Sequence, residues 1–120
     1  MTIYALSSGK GISGISVIRI SGSKTKEVIL KLTKRDLPNP RVATRRKFNK
    51  FNNNELIDEG ILIWFPGPMS YTGEDMAEFH VHGSKAVVDA MYTSISSVDD
   101  CRLAEPCLLY TSDAADDVIS

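Results

Sequence analysis

The sequence predicts an α+β domain: a mostly antiparallel sheet with two helices packed on one face. Two observations lead there. Six short segments are β-prone and bounded by turn residues. Two further segments repeat apolar residues at helical spacing, giving the order strand, strand, helix, strand, strand, strand, helix, strand.

The elements follow in chain order. Thr2–Ser7 is β-prone, and the glycine-rich run from Ser8 to Gly14 is a connection. Ile15–Ser21 is rich in branched residues and free of proline, so it reads as a strand. Ser23 is the expected N-cap of the first helix. Val28, Ile29 and Leu32 form its buried stripe, while Lys24, Lys26, Lys31 and Lys34 face water. Pro38 and Pro40 prevent its continuation. Arg41–Phe48 is basic and extended, an edge strand whose charges discourage strand-to-strand aggregation. Asn52–Asn54 is a turn. Leu56–Phe65 is apolar on both faces and is expected to be a central strand. Pro66-Gly67-Pro68 ends it, and a loop runs from Met69 to Asp75. Met76–His82 is a strand with Ala77, Phe79 and Val81 on its core face. Ser84 caps the second helix, whose stripe is Val87, Val88, Met91, Tyr92, Ile95 and Val98. Arg102–Ala104 is a last short strand.

Length and composition set the limits. The chain has 120 residues, the size of one domain, with 42% apolar and 24% charged residues, as in ordinary globular proteins. No apolar run approaches the ~18 residues of a membrane helix, and no signal peptide is expected at the N-terminus. Cys101 and Cys107 form no disulfide framework, which fits a reducing compartment. The net charge of −1 conceals an asymmetry. Residues 1–50 hold 12 Lys and Arg against 2 acids, and residues 51–120 hold 2 against 13. A solvated surface with self-attraction is the favoured reading of this split.

Several motifs are weighed and set aside. Gly9-x-Gly11-x-x-Gly14 matches the dinucleotide fingerprint in letters, but it opens a strand instead of a helix and lacks the acid ~20 residues on. No phosphate-binding GxxxxGK[S/T] loop occurs, so the chain has no P-loop machinery for hydrolysing GTP or ATP. His80 and His82 point the same way on a strand, but two ligands do not hold zinc, and no metal site is expected. The basic segment Arg41–Lys50 has only Phe48 and Phe51 as aromatic company, so a solvated edge is preferred to an RNA surface.

Arg19 and Glu78 are the informative pair. Alternation places Arg19 on the same face as Ile15 and Val17, so a buried guanidinium in need of an anion is expected. Glu78, His80 and His82 share the non-core face of their strand. If the two strands are neighbours, Arg19 and Glu78 meet. They then form either a plain salt bridge or the two poles of a ligand pocket, and spacing favours the salt bridge.

These residues also carry a family resemblance. Gly14-Ile15-Ser16-Val17-Ile18-Arg19-Ile20-Ser21-Gly22, Asp58-Glu59-Gly60, Trp64-Phe65-Pro66-Gly67-Pro68-Met69-Ser70-Tyr71-Thr72-Gly73-Glu74-Asp75, Glu78 and His82-Gly83 resemble, in order and spacing, the N-terminal domain of the MnmE/TrmE family of tRNA-modification GTPases. The resemblance covers residues 1–106. It implies a fold similar to the folate-binding domains of the glycine-cleavage T-protein group and homodimerisation through this domain. It also implies binding of 5-formyl-tetrahydrofolate or a related tetrahydrofolate, with contacts at Arg19 and Glu78 and no catalytic residue in this segment. The full-length family modifies carbon 5 of the wobble uridine of tRNA with the flavoprotein MnmG (GidA). It is cytoplasmic, and GTP, Mg and K belong to a separate GTPase domain. Two other functions are kept in view. One is a stand-alone folate-dependent one-carbon transferase, for which Glu74, Asp75, His80 and His82 are the nearby candidates. The other is a basic tRNA-docking domain.

The chain departs from the family pattern in two places. Ser84 follows His82-Gly83 where a second glycine is commoner. After Pro106 the pattern, with its folate-contacting lysine, stops. Residues 107–120 are expected to be a non-native tail on a truncated fragment, resembling a translated sequencing adapter.

Overall fold

The structure is a computed structural model that describes residues 1–7 and 14–104. The expectations for Gly9, Gly11, Cys107 and the 107–120 tail lie outside the described residues. The elements are β1 (Thr2–Leu6), β2 (Ile15–Ser21), α1 (Thr25–Thr33), β3 (Thr44–Asn49), β4 (Leu56–Phe65), β5 (Met76–His82), α2 (Lys85–Ser96) and β6 (Cys101–Leu103). The six strands form one sheet in the order β3-β4-β5-β2-β1-β6. Every neighbouring pair is antiparallel except β1 with β6, which is parallel. The expected α+β class and element order are those observed.

Alternation along the strands builds the core. Tyr4, Ile18, Ile20, Leu62, Trp64, Ala77 and Phe79 are buried on one sheet face. Val28, Ile29 and Leu32 of α1, and Met91 and Ile95 of α2, pack onto that face. Phe48 meets Phe79 edge-to-face, with centroids 5.5 Å apart. No helix among the described residues covers the opposite face. β4 shows the consequence: it is interior, as expected, but Ile61, Ile63 and Phe65 are only half-buried. Its second apolar face looks onto open sheet.

The helix starts differ from each other. At α2, Ser84 accepts from the amide of Val87 at 3.2 Å, as expected. At α1 the expectation is corrected: Ser23 is exposed, and the cap position is Lys24, with no side-chain cap. Tertiary partners serve instead. The Lys24 amide donates to Thr2 Oγ1 at 2.8 Å, and the Thr25 amide to the Gly22 carbonyl at 3.2 Å. This requires β1 to lie against the turn at Gly22. A side chain there would bring a Cβ 2.5 Å from Thr2 Cα, at a φ of +139° that favours glycine. Lys24 is half-buried and not fully solvent-facing, 3.7 Å from Glu27.

β3 is an edge strand, but it begins at Thr44. Arg41 precedes it with a left-handed φ of 64°, its amide bonded to the Trp64 carbonyl at 2.8 Å. Cys101 is a free thiol. No described helix is long and apolar enough to cross a membrane.

Candidate functional site

β2 and β5 lie side by side, and their register sets Arg19 directly opposite Glu78. Arg19 donates to Glu78 Oε2 from Nε at 3.1 Å and from Nη2 at 2.8 Å. His80, two residues along the same strand face, donates from Nε2 to Glu78 Oε1 at 3.0 Å. The carboxylate is thus held from two sides, with lone pairs to spare.

The expected burial of Arg19 is corrected. Its side chain is 44% exposed, against 17% for Glu78. Ile15, Val17 and Arg19 do share a face, but it is the one without helices, so the guanidinium keeps contact with water.

Burial pushes the Glu78 carboxyl up. The hydrogen bonds from His80 and Arg19, with the Arg19 charge, outweigh it and hold the group below the usual glutamate value. A lowered folded-state pKa stabilises the fold above the unfolded value of about 4.3, and that contribution is lost as pH falls through the folded value. Urea denaturation of the parent and Glu78→Gln should therefore show a stability gap at pH 6 that narrows steadily below pH 4. A gap independent of pH would contradict the assignment.

A groove of about 510 Å³ opens over the pair, lined by Arg19, Arg41, Phe65, Tyr71, Met76 and Glu78. A second hollow of about 310 Å³ adjoins it, sharing Arg19, Tyr71 and Met76 and adding Ile3, Ala5 and Thr72. Tyr71 stands between them, 91% exposed.

The loop that presents Tyr71 is tied down on both sides. The Asp75 carboxylate accepts from the Gly67 amide at 2.9 Å. Its carbonyl accepts from the Gly22 amide at 2.9 Å and the Thr25 hydroxyl at 3.1 Å. Ser21 Oγ lies 2.8 Å from Thr72 Oγ1 and donates to Glu74 Oε1 at 3.3 Å. The Ser70 hydroxyl bonds the Glu74 carbonyl.

His80 and His82 do not converge. His82 turns to Asp58, which accepts from its backbone amide at 2.8 Å and lies 2.9 Å from its Nδ1. Among the described residues no group of three His, Cys, Asp or Glu side chains forms a metal cluster. Glu74, Asp75, His80 and His82 are all engaged in bonds that shape the site.

The sequence points to Arg19 and Glu78 but not to Tyr71, Arg41, Phe65 or Met76 as groove walls. For Phe65 and Tyr71 there was a signal, since both lie within the family motif from Trp64 to Asp75. For Arg41 there was none, because the fold carries it from before β3 to the groove.

The family described as GTP-binding protein TrmE N-terminus matches residues 2–107. The chain belongs to this family. It is 68% identical over 106 residues to the tRNA modification GTPase MnmE of Pelagibacter ubique, covering 88% of this chain and 24% of that protein. It is 46% identical over 104 residues to the mitochondrial 5-taurinomethyluridine-[tRNA] synthase subunit GTPB3 of Danio rerio, covering 87% and 21%. The MnmE of Rhodopseudomonas palustris is 45% identical over 105 residues, covering 88% and 22%. The chain therefore spans between a fifth and a quarter of the length of these relatives.

In this TrmE N-terminal domain the motif positions acquire physical roles. Asp58 of the Asp58-Glu59-Gly60 motif fastens β4 to the end of β5 through His82. Gly60 lets the two strands cross closely, because a Cβ there would overlap the His80 carbonyl oxygen. Gly83 donates its amide to the Gly14 carbonyl at 2.8 Å, closing β2 against β5. The last of these contacts closes the strand pair whose register sets Arg19 opposite Glu78.

Proposed function

We propose that this chain is the tetrahydrofolate-binding and homodimerisation module of a GTPase that modifies carbon 5 of the wobble uridine of tRNA. The tRNA part of the reading draws on the relatives, which carry tRNA modification in their names. The observation that carries the folate part is the Arg19–Glu78 pair on the floor of an apolar-walled groove.

The donor set suits a pterin. Its amino group and adjacent ring N–H form a parallel donor pair that the Glu78 carboxylate can accept. Arg19 uses Nε and Nη2 on Glu78, leaving the Nη1 side of the guanidinium for a folate carbonyl or carboxylate oxygen. Phe65, Met76 and Tyr71 supply apolar wall, and ~510 Å³ is ample for a bicyclic ring. Bound 5-formyl-tetrahydrofolate would supply one-carbon chemistry. This chain's residues would orient it, since the nearby carboxylates and imidazoles are already committed to holding the site.

Other parts of the reading concern the whole protein. GTP, Mg and K would be bound by the GTPase domain, and tRNA and the flavoprotein MnmG would be engaged by the full-length protein in the cytoplasm. The uncovered sheet face, where Ile3 and Ile15 are 47% and 41% exposed, is the natural surface for a second copy.

The test is calorimetric titration with 5-formyl-tetrahydrofolate. Glu78→Gln should bind roughly 30-fold more weakly, the size of one lost charge-assisted hydrogen bond. Circular dichroism should show the variant folded at pH 7. Equal affinities for the two proteins would overturn the assignment.

A further inference from the structure

Much of the basic half of the sequence is gathered beside one edge of the sheet. β3 and β6 are the two ends of a six-stranded sheet, so about 24 Å separates them. α1 packs beside β3. Asn49 Nδ2 donates to the Leu32 carbonyl at 3.2 Å, and Lys34 Nζ donates to the Phe51 carbonyl at 2.8 Å. Lys31 Nζ sits 5.8 Å from the centre of the Phe51 ring. Residues 31–50, with 8 Lys and Arg against 1 acid, are thereby gathered at the β3 end, whereas the start of α1 lies against β1 through the Lys24 amide on Thr2. At the other end Asp99 and Asp100 precede β6.

Part of this positive charge is neutralised locally. Arg45 pairs with Glu59 at 3.1 Å, Lys50 with Glu55 at 3.4 Å, and Lys24 and Lys31 share Glu27. Lys34, Arg35, Arg41 and Lys47 have no carboxylate within salt-bridge distance among the described residues. Lys34, Arg35, Arg41 and Lys47 are also exposed. Among the described residues, buried Arg46 Nε has no hydrogen-bond partner, and no strand lies on the outer side of β3.

We propose that the β3–α1 edge docks the phosphate backbone of an RNA. Unpaired, exposed cations along an edge gain free energy by releasing the counterions condensed on a polyanion. Side chains of β3 alternate between the two sheet faces, so its cations are not confined to the polar side of an amphipathic stripe, as they are in a membrane-surface helix. Arg41 belongs to both the edge and the groove, so a docked strand would run to the mouth of the Arg19–Glu78 site. The choice of RNA rests on the tRNA part of the proposed function. The charge argument is independent of the folate part.

The test uses the full 120-residue chain and a fluorescein-labelled tRNA transcript, read by anisotropy between 50 and 200 mM KCl. With about four phosphates contacted, the log–log slope of affinity against salt should be roughly −3. The triple variant Lys34→Gln, Arg35→Gln, Lys47→Gln should lose roughly 10-fold or more at 100 mM and show a shallower slope. Lys85→Gln, on α2, should bind as the parent does. Unchanged tRNA affinity in the triple variant would overturn the proposal. So would salt-sensitive binding only to anionic phosphatidylglycerol vesicles, or salt-sensitive self-association without a tRNA shift. The triple variant should titrate 5-formyl-tetrahydrofolate like the parent, so that failure of the RNA edge and failure of the folate groove are read separately.

Discussion

Replacing Gly60 with alanine should lower the melting temperature by about 15 °C. The added Cβ overlaps the carbonyl oxygen of His80, with Phe48 Cε2 at 3.3 Å on its other side. Neither neighbour yields easily. The oxygen is main chain in the interior strand β5, and Phe48 is fully buried. Overpacking at such a position costs about 3 kcal/mol, a large share of a small domain's stability. Thermal denaturation followed by circular dichroism reads it. A shift of only a degree or two would mean that β4 and β5 separate there without cost, and that the glycine has another role.

Exchanging the charges, Arg19→Glu together with Glu78→Arg, should abolish detectable heat on titration with 5-formyl-tetrahydrofolate while the domain stays folded. The two residues are directly opposed across antiparallel strands, so the swapped pair still meets in the same place. What changes is the polarity offered to a ligand. The carboxylate moves to the more exposed position, and a guanidinium takes the place that a pterin's donors would face. The expected loss exceeds 100-fold, more than for Glu78→Gln, because repulsion replaces a merely weakened contact. Folate binding preserved in the swapped protein would mark the pair as a cross-strand salt bridge and nothing more. Loss of folding would instead show that the His80 contact to Glu78 is what the site depends on.

Much of the fold was legible because strand alternation and helical spacing are local properties. Ile15–Ser21 and Met76–His82 have the bounds expected of them, and the core face of Met76–His82 is Ala77, Phe79 and Val81 as expected. The misreadings arose where a distant segment decides the outcome. Ser23 resembled a cap by its position, but the amides of α1 are satisfied by Thr2 and Gly22. Arg19 was expected to be buried with Ile15 and Val17. Sharing a face with apolar neighbours buries a side chain only if something covers that face.

The candidate site divides the same way. The sequence alone determined which neighbours share a strand face with Arg19 and with Glu78, that the chain carries the motifs of the TrmE N-terminal family, and that its charge is split between basic and acidic halves. Only the tertiary structure decided that these strands are neighbours in the register that joins residues 59 apart, that no helix among the described residues covers their face, that Tyr71 and Arg41 wall the groove, and that the basic strand β3 forms one end of the sheet. The reason is physical. The face on which a side chain lies is set by the backbone within two residues of it. Partner, cover and neighbouring charge are set by how the strands are ordered, and that order follows from burying one core shared by segments far apart in the chain.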